Sequence, residues 1–194
     1  KVNHGFFTRL NGFSKKEFKV LNCSFSNGDS KIKVNKNRLL TLKNLKLENK
    51  KLKIVNQTHS SKVIRINKLN LNQNLEADGL ITSLDDVVLG VLTADCAPVI
   101  FFDPKKNIIG AAHAGWKGAY KNINKDMIKL FKNKGSKLGN LNVIIGPCIS
   151  QNNYEIKQDF KKKFLNQNFA NKRYFKGKKN KIYFDLRGYI FQQL

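Results

Sequence analysis

Residues 99–113 read Val-Ile-Phe-Phe-Asp-Pro-Lys-Lys-Asn-Ile-Ile-Gly-Ala-Ala-His. Two apolar runs, Val99–Asp103 and Ile108–His113, flank a short polar segment that contains Asp103-Pro104 and Asn107. Runs rich in Val, Ile and Phe that are bounded by Asp, Pro and Asn are typical of β-strands. The short connection favours antiparallel pairing. The sequence therefore predicts two neighbouring antiparallel strands, the second of which ends at a histidine.

Similar runs occur on either side of this pair. The other predicted strands are Lys51–Val55, Lys62–Ile66, Gly79–Ser83, Val87–Leu92, Leu141–Ile145 and Ile182–Asp185. A tight turn at Asp85-Asp86 is expected to join two further antiparallel neighbours. Apolar spacing predicts helices over residues 35–47, 118–134 and 154–165. This order predicts one domain over residues 1–194, with an α+β fold of mixed, largely antiparallel sheet layers flanked by helices.

The chain is strongly basic. Its 194 residues carry 37 basic and 13 acidic side chains, for a formal net charge of +24. Such a charge favours either a nucleic-acid or acidic partner, or a lysine-rich surface that reflects genomic bias. The lysines are scattered, with clusters only at 161–163 and 176–181, and this favours the second interpretation. We expect no specific nucleic-acid partner, although the charge would attract anions such as phosphate.

Two features of the sequence bear on the cellular compartment. The apolar runs are far shorter than the roughly 20 residues that cross a bilayer, and no secretory signal pattern stands at the start. Cys23, Cys96 and Cys148 are an odd number at wide spacing, which argues against a disulfide framework and suits a reducing compartment. We expect a cytoplasmic protein without a membrane partner.

Reactive side chains concentrate where loops meet the predicted strands. His59 and His113 each stand just past an apolar strand, and Cys96 occupies an equivalent position. One such histidine is usually structural, but two histidines and a cysteine at strand ends fit a metal site. Zinc prefers imidazole and thiolate ligands, and copper follows it. Three protein ligands would leave a fourth position for water or substrate, as in catalytic sites.

The residues around this set allow other roles. Cys96 is alternatively a nucleophile activated by a histidine, or a small buried hydrophobe. Asp95 argues against simple burial, since a neighbouring carboxylate must be solvated or paired, and it is a candidate to orient a histidine or act as a general base. Gly115 to Gly118 precede a helix and offer N–H groups to an anion, with Lys117 adding charge. Trp116 either stacks on a planar base or fills the core. Cys148 we interpret as structural.

Several uncommon motifs resemble, in their order, those of one family. They are Glu76-Ala77-Asp78-Gly79-Leu80-Ile81-Thr82, Thr93-Ala94-Asp95-Cys96-Ala97-Pro98-Val99 and Ala112-His113-Ala114-Gly115-Trp116-Lys117-Gly118, with further matches at residues 4–9, 57–59, 145–149 and 154–155. The family is the YfiH or laccase-domain family, also called multicopper polyphenol oxidases or peptidoglycan-editing-factor purine nucleoside phosphorylases. The resemblance covers nearly the whole chain.

The resemblance implies a cytosolic enzyme with a zinc site formed by His59, Cys96 and His113. It implies phosphorolysis of adenosine, inosine, guanosine and methylthioadenosine, and deamination of adenosine. The residues that we then predict to be catalytic are Asp95, Asp78 and Cys96, with one of the carboxylates moving protons. The residues predicted to contact nucleoside or phosphate are Arg9, Gln57, Trp116 and Lys117.

Departures from the family pattern are expected to matter. Lys117 stands where the family usually has arginine, so a two-pronged grip on phosphate becomes a single charge. The family usually continues past the position of Leu194 through a segment that approaches the active site, and we expect this chain to lack it.

Three other functions stay open on the sequence. They are a Cys96–His113 hydrolase acting on peptidoglycan precursors, a copper-dependent polyphenol oxidase, and a basic nucleic-acid-binding module. The oxidase is disfavoured because three ligands around one ion do not supply the several copper centres that such an enzyme needs.

Overall fold

The computed structural model describes residues 2–194, and six strands follow one another between its first two α-helices. The strands in chain order are β1 (Lys51–Lys53), β2 (Val63–Arg65), β3 (Gly79–Thr82), β4 (Val87–Leu89), β5 (Ala97–Asp103), β6 (Ile108–Ala114), β7 (Asn142–Ile145), β8 (Glu155–Ile156), β9 (Phe175–Lys178) and β10 (Lys181–Phe184). The α-helices are α1 (Lys31–Asn44), α2 (Trp116–Tyr120), α3 (Ile123–Asn133), α4 (Gln158–Gln167) and α5 (Leu186–Phe191).

The central sheet has five strands in the order β2-β3-β6-β5-β7. The pair β2-β3 is parallel, and the other three pairs are antiparallel. The predicted pairing of the strands around Asp103-Pro104 is confirmed, with a register from Ala97 opposite Ala114 to Asp103 opposite Ile108. The predicted α+β class with mixed, largely antiparallel sheets is therefore confirmed.

Helix α3 covers one face of this sheet. It buries Ile123, Met127 and Phe131 completely, which is the i, i+4, i+8 spacing of an amphipathic helix. Gly110 of β6 leaves room for that contact, because a Cβ there would lie 2.9 Å from the Phe131 ring. The predicted single helix over 118–134 is interrupted after α2, where Asn122 takes a left-handed φ of 64°.

Two smaller sheets flank the centre. One joins β1 and β4, and the other has the order β8-β10-β9. The prediction that Asp85-Asp86 joins antiparallel neighbours is wrong, because β4 leaves the central sheet and pairs in parallel with β1. The physical reason is that β2 and β6 already occupy both hydrogen-bonding edges of β3.

Aromatic side chains from the last third of the chain form a second part of the core. Phe164 of α4 lies 4.8 Å from the ring centres of both Phe160 and Phe184, and 5.0 Å from that of Tyr189. The sequence predicts α4 four residues too early and misses α5, β8 and β9. The first two are short, and β9 reads Phe-Lys-Gly-Lys, without an apolar run.

Helix α1 buries only part of its leucine face and adds a polar residue to the core. Val34, Asn37 and Leu42 are buried, whereas Leu39 is 59% exposed. Asn37 is pulled inward because its amide donates to Ser14 Oγ and to the carbonyl of Asn22, at 2.9 and 2.7 Å. Within the described residues, no helix is both long and apolar enough to cross a membrane.

Candidate metal centre

The three predicted ligands meet at one end of the central sheet, where β6 ends and β5 begins. The ligand atoms of His59, Cys96 and His113 all lie within 4.8 Å of one another. The two imidazole ring centres are 4.9 Å apart, and the rings are nearly perpendicular at 84°. Across residues 2–194 this is the only group of three or more His, Cys, Asp or Glu side chains that could hold a metal ion.

Strand directions bring these side chains together. His113 stands near the end of β6, and Cys96 immediately precedes β5, its antiparallel neighbour. The loop that carries His59 leads into β2, which begins beside the first residue of β3. Strands β2, β3 and β5 begin at the end of the sheet where β6 ends. The residues just before β2, β3 and β5 therefore lie close to the last residues of β6.

The buried carboxylate of Asp78 organises the centre. Asp78 is 0% exposed, and its oxygens accept the backbone N–H groups of Thr58, His59 and Ser60 at 3.2, 3.0 and 2.6 Å. The Ser60 hydroxyl donates to it as well, at 2.7 Å. These bonds hold His59 at a left-handed φ of 56°, a conformation that a non-glycine residue adopts only with such support.

The same carboxylate orients the second histidine. Asp78 Oδ1 lies 2.8 Å from Nδ1 of His113, and the backbone N–H of His113 donates to the Asp78 carbonyl at 2.7 Å. Burial lowers the pKa of His113, and this outweighs the opposing effect of Asp78. Burial raises the pKa of Asp78, but its hydrogen bonds from His113, Ser60 and Thr58 hold it below the usual value. The pair is thus a neutral imidazole that donates Nδ1–H to a carboxylate, which leaves Nε2 free as a ligand.

Cys96 occupies space that a glycine leaves open. A Cβ on Gly115 would lie 2.8 Å from the Cys96 sulfur and 3.5 Å from Cδ2 of His59. Burial, together with Asp95, Asp78 and Cys148, raises the pKa of the Cys96 thiol. Without a cation the sulfur therefore holds its proton at neutral pH, whereas a bound metal ion would stabilise the thiolate.

This donor set fits zinc. Zinc bonds of about 2.0–2.3 Å in tetrahedral geometry place ligand atoms roughly 3.3–3.6 Å apart, so donors within 4.8 Å need only small side-chain rotations. Two neutral imidazoles and one thiolate are ligands that zinc favours, and His59 is exposed, so the centre faces solvent on one side.

The predicted substrate-binding residues divide into two groups. Gln57 is engaged by the protein itself, since its amide donates to the Leu92 carbonyl at 2.8 Å and accepts the Leu92 N–H at 2.7 Å. This ties the His59 loop to the segment before Cys96. Arg9 is exposed, and its carbonyl accepts the N–H groups of Val20 and Leu21, both at 2.9 Å.

The other group follows Gly115 on α2. The Trp116 ring is half-buried against Phe160, with the ring centres 5.0 Å apart. The ammonium groups of Lys117 and Lys163 lie 5.7 and 5.5 Å from the centre of the same indole ring. Both lysines are exposed, and they place two positive charges beside the Trp116 ring.

Sequence reasoning missed two groups beside the centre. Burial, with the charges of Cys96 and Asp95, raises the pKa of Tyr154 to about 12, so a neutral phenol stands near the ligand cysteine. Cys148, interpreted above as structural, is close enough to raise the pKa of Cys96. No sequence signal marked Cys148 as a neighbour, because its segment reaches the segment of Cys96 through backbone hydrogen bonds from Gly146 and Ile149.

Comparisons with known proteins identify relatives of this chain. A family profile described as multi-copper polyphenol oxidoreductase laccase matches residues 3–194. A purine nucleoside phosphorylase of Rickettsia conorii is 34% identical over 185 residues, which cover 89% of this chain and 75% of that protein. The purine nucleoside phosphorylase YlmD of Bacillus subtilis is 33% identical over 159 residues, which cover 77% of this chain and 57% of that protein.

Solved structures share the fold. The crystal structure of the Bacillus licheniformis hypothetical protein YfiH superposes with a TM-score of 0.87 at 26% identity, over 95% of this chain and 73% of that chain. The matched part of this chain spans only 57% of the B. subtilis relative, so that relative has a substantial part outside the comparison. Since the family profile extends over nearly all of the described residues, this chain belongs to the laccase-domain family.

Proposed function

We propose that this chain is a zinc-dependent purine nucleoside phosphorylase that also deaminates adenosine. Adenosine, inosine, guanosine and methylthioadenosine are the proposed nucleosides, and inorganic phosphate is the second substrate. Relatives that bear the name purine nucleoside phosphorylase support this reaction class. The observation that carries the proposal is the convergence of His59, Cys96 and His113 at a solvent-facing edge of the sheet.

In phosphorolysis, a phosphate oxygen forms a bond to the anomeric carbon of the ribose while the bond from that carbon to the purine nitrogen breaks. The products are ribose 1-phosphate and the free base, and the base takes up a proton as it leaves. Zinc bound to the three ligands would act as a Lewis acid that stabilises developing negative charge. The protein side chains then have to bind phosphate, hold the purine and supply the proton.

Asp95 is the carboxylate that suits proton transfer. It is exposed, and it lies next to Cys96 in the chain. Asp78 is completely buried, and its oxygens already accept four hydrogen bonds of 3.2 Å or less from the His59 loop, besides the contact with His113. We therefore assign proton transfer to Asp95 and positioning of the ligands to Asp78. A proton on Asp78 would weaken the bonds that hold the loop.

Charge and stacking provide the proposed substrate contacts. The ammonium groups of Lys117 and Lys163 stand near the Trp116 ring, so that an anion and a planar base could bind side by side. Arg9 is proposed as a further contact to phosphate. Gln57 contributes by holding the His59 loop to the segment at Leu92.

Deamination would take place at the same metal centre, with water as the nucleophile. Water adds to C6 of adenosine, ammonia leaves, and inosine is released. Asp95 would take a proton from the water and return one to the departing amine. The common requirement of the two reactions is a purine held beside the centre, with a carboxylate near the reacting atoms.

The surroundings of Cys96 favour a ligand over a nucleophile. Burial and two neighbouring carboxylates raise the pKa of its thiol, whereas a cysteine hydrolase needs a readily formed thiolate. A multicopper oxidase needs several copper centres, and residues 2–194 contain one group of three potential ligands.

The direct test incubates the zinc-loaded full chain with inosine and phosphate. We expect hypoxanthine and ribose 1-phosphate in equal amounts, measured by chromatography, and inosine plus ammonia when adenosine is supplied without phosphate. Elemental analysis of protein purified without chelator should find about one zinc ion per chain.

His113→Ala is the informative variant, and His4→Ala is its matched control. His113→Ala should lose zinc and at least about a hundredfold in rate, whereas His4 is exposed and lies outside the ligand group. The proposal fails if the zinc-loaded protein releases no hypoxanthine, or if hypoxanthine forms at the same rate in the absence of phosphate.

A further inference from the structure

The segment after β7 continues the ladder of the central sheet past its last assigned strand residue. In the pairing of β5 with β7, Val99 lies opposite Ile145, and the two numbers add to 244 along the whole ladder. Two further backbone hydrogen bonds join the segment after β7 to the segment around the start of β5. The Gly146 N–H donates to the Pro98 carbonyl at 2.8 Å, and the Ile149 N–H donates to the Asp95 carbonyl at 2.9 Å.

These two bonds bracket a pair of cysteines. Cys96 lies between Asp95 and Pro98, and Cys148 lies between Gly146 and Ile149, so the two bonds bring the cysteines close together on neighbouring antiparallel segments. Neighbouring antiparallel segments lie about 4.5–5.5 Å apart from Cα to Cα. This falls within the Cα separation of about 4.4–6.8 Å that a disulfide requires.

Cys96 therefore has different neighbours on its two sides. On the β6 side it meets Gly115, whose missing side chain leaves room for the sulfur. On the other side, the hydrogen-bonded segment after β7 carries Cys148, whose charge contributes to the raised pKa of the Cys96 thiol. Both cysteines are half-buried and free, so an oxidant of small size can reach them.

The geometry points to a redox-sensitive pair: Cys96 and Cys148 form a reversible disulfide that withdraws the sulfur ligand from the metal centre. A small hydroperoxide, such as hydrogen peroxide, is the oxidant. The inference rests on the three-ligand centre and does not depend on the purine chemistry.

The chemistry balances with two thiols and one peroxide. The sulfur of one cysteine attacks a peroxide oxygen, the O–O bond breaks, and a sulfenic acid and water are formed. The sulfur of the second cysteine then attacks the sulfenic sulfur, the S–S bond forms, and a second water leaves with the remaining thiol proton. The two sulfurs together lose two electrons, which reduce the peroxide to water.

Loss of the metal follows from the shared sulfur. A sulfur in a disulfide carries no negative charge, and two imidazoles alone bind zinc far more weakly than two imidazoles with a thiolate. Conversely, a bound zinc ion holds the Cys96 sulfur and should slow disulfide formation. Oxidation and zinc occupancy are therefore expected to oppose each other.

The test treats the zinc-loaded full chain with hydrogen peroxide and follows two signals. Peptide mapping by mass spectrometry without reductant should find the peptides of Cys96 and Cys148 joined, and a chromogenic chelator should detect released zinc with the same time course. Dithiothreitol followed by zinc should restore the starting state. Metal-free protein should form the disulfide several times faster than the zinc-loaded protein.

Cys148→Ser and Cys148→Ala are the informative variants, and Cys23→Ser is the matched control. Both Cys148 variants keep all three ligands, and either one that folds should bind zinc and retain it under the peroxide exposure that empties the wild type. Cys23→Ser, which removes another half-buried thiol, should behave as wild type. The inference is overturned if the wild type forms no joined peptides, if Cys23 is the partner, or if a Cys148 variant loses zinc as fast as the wild type. None of these readouts uses a nucleoside.

Discussion

The two ends of the central sheet each contain a buried aspartate, and they use it differently. Asp78 stands before β3 at the ligand end, and Asp103 ends β5 at the opposite end, and both are 0% exposed. Asp103 Oδ1 accepts the N–H groups of Lys105 and Lys106 at 2.8 and 3.2 Å, which shapes the turn between β5 and β6. Asp78 shapes a turn in the same way, but it also holds a histidine.

The difference lies in what each carboxylate faces. The Oδ1 atom of Asp103 accepts hydrogen bonds only from its own turn. Its Oδ2 atom lacks a hydrogen-bond partner of good geometry, although the nearby Ser136 hydroxyl lowers the pKa of the carboxyl. Asp78 receives donors from a loop 18 to 20 residues earlier and from a strand 35 residues later. A buried carboxylate thus becomes part of a functional centre only where distant segments converge on it.

The largest effect should come from Asp78→Asn, compared with Asp103→Asn. Asparagine cannot accept all the hydrogen bonds that Asp78 receives, so the His59 loop and His113 lose their support. We expect zinc affinity to fall by roughly tenfold to a hundredfold and the free energy of unfolding to fall by about 3 kcal/mol. Chelator competition and denaturant unfolding measure the two quantities. Asp103→Asn should leave zinc affinity unchanged, and equal losses in both variants would remove the distinction.

Gly115→Ala should weaken the centre without touching a ligand. Its Cβ would lie 2.8 Å from the Cys96 sulfur, so the sulfur has to move. We expect a loss of zinc affinity on the order of tenfold, measured by the same competition. Gly139→Ala is the matched control, because a Cβ there meets nothing within 4 Å. An unchanged affinity in Gly115→Ala would show that the sulfur does not need this space.

Asp103 should control part of the acid sensitivity of the fold. Burial raises the pKa of its carboxyl. Together, the Ser136 hydroxyl and the N–H groups of the turn lower the pKa by more than burial raises it, so that the pKa lies below the usual value. A lowered pKa in the folded state stabilises the protein above the ordinary carboxyl pKa of about 3.9, and this contribution is lost as the pH falls through the folded-state value. Thermal unfolding against pH should therefore show a Tm deficit for Asp103→Asn at neutral pH that shrinks in acid. The exposed Asp86→Asn should show no such convergence, and a constant deficit in Asp103→Asn would contradict the assignment.

The smallest effects should come from two serine hydroxyls, Ser60→Ala and Ser136→Ala. The Ser60 hydroxyl donates to Asp78 at 2.7 Å, and its loss should cost about 1–2 kcal/mol of stability and a measurable part of zinc affinity. The Ser136 hydroxyl is buried without a partner of good geometry, so its removal should cost less than about 1 kcal/mol and leave zinc binding intact. Denaturant unfolding and zinc competition compare the pair directly. A larger zinc effect from Ser136→Ala would reverse the comparison.

Most elements of the central sheet could be predicted because their sequences are long enough to show a pattern. The strands around Asp103-Pro104 have seven residues each, and their residue types alone indicate strands. The pairing of β4 could not be predicted, since nothing within 87–89 records that both edges of β3 are already taken. Strand β8 has only two residues, and β9 reads Phe-Lys-Gly-Lys, without the run of apolar residues that marks the predicted strands.

The sequence by itself determined the types of ligand and the strand ends that carry them, because residue chemistry and apolar runs are local properties. Only the tertiary structure decided that Asp78 supports both histidines, that Gly115 makes room for the sulfur, and that the segment of Cys148 is hydrogen-bonded to the segment of Cys96. Each of these is a contact between segments far apart in the chain. Such contacts depend on strand order and register, which are set by the packing of the whole sheet and not by any one segment.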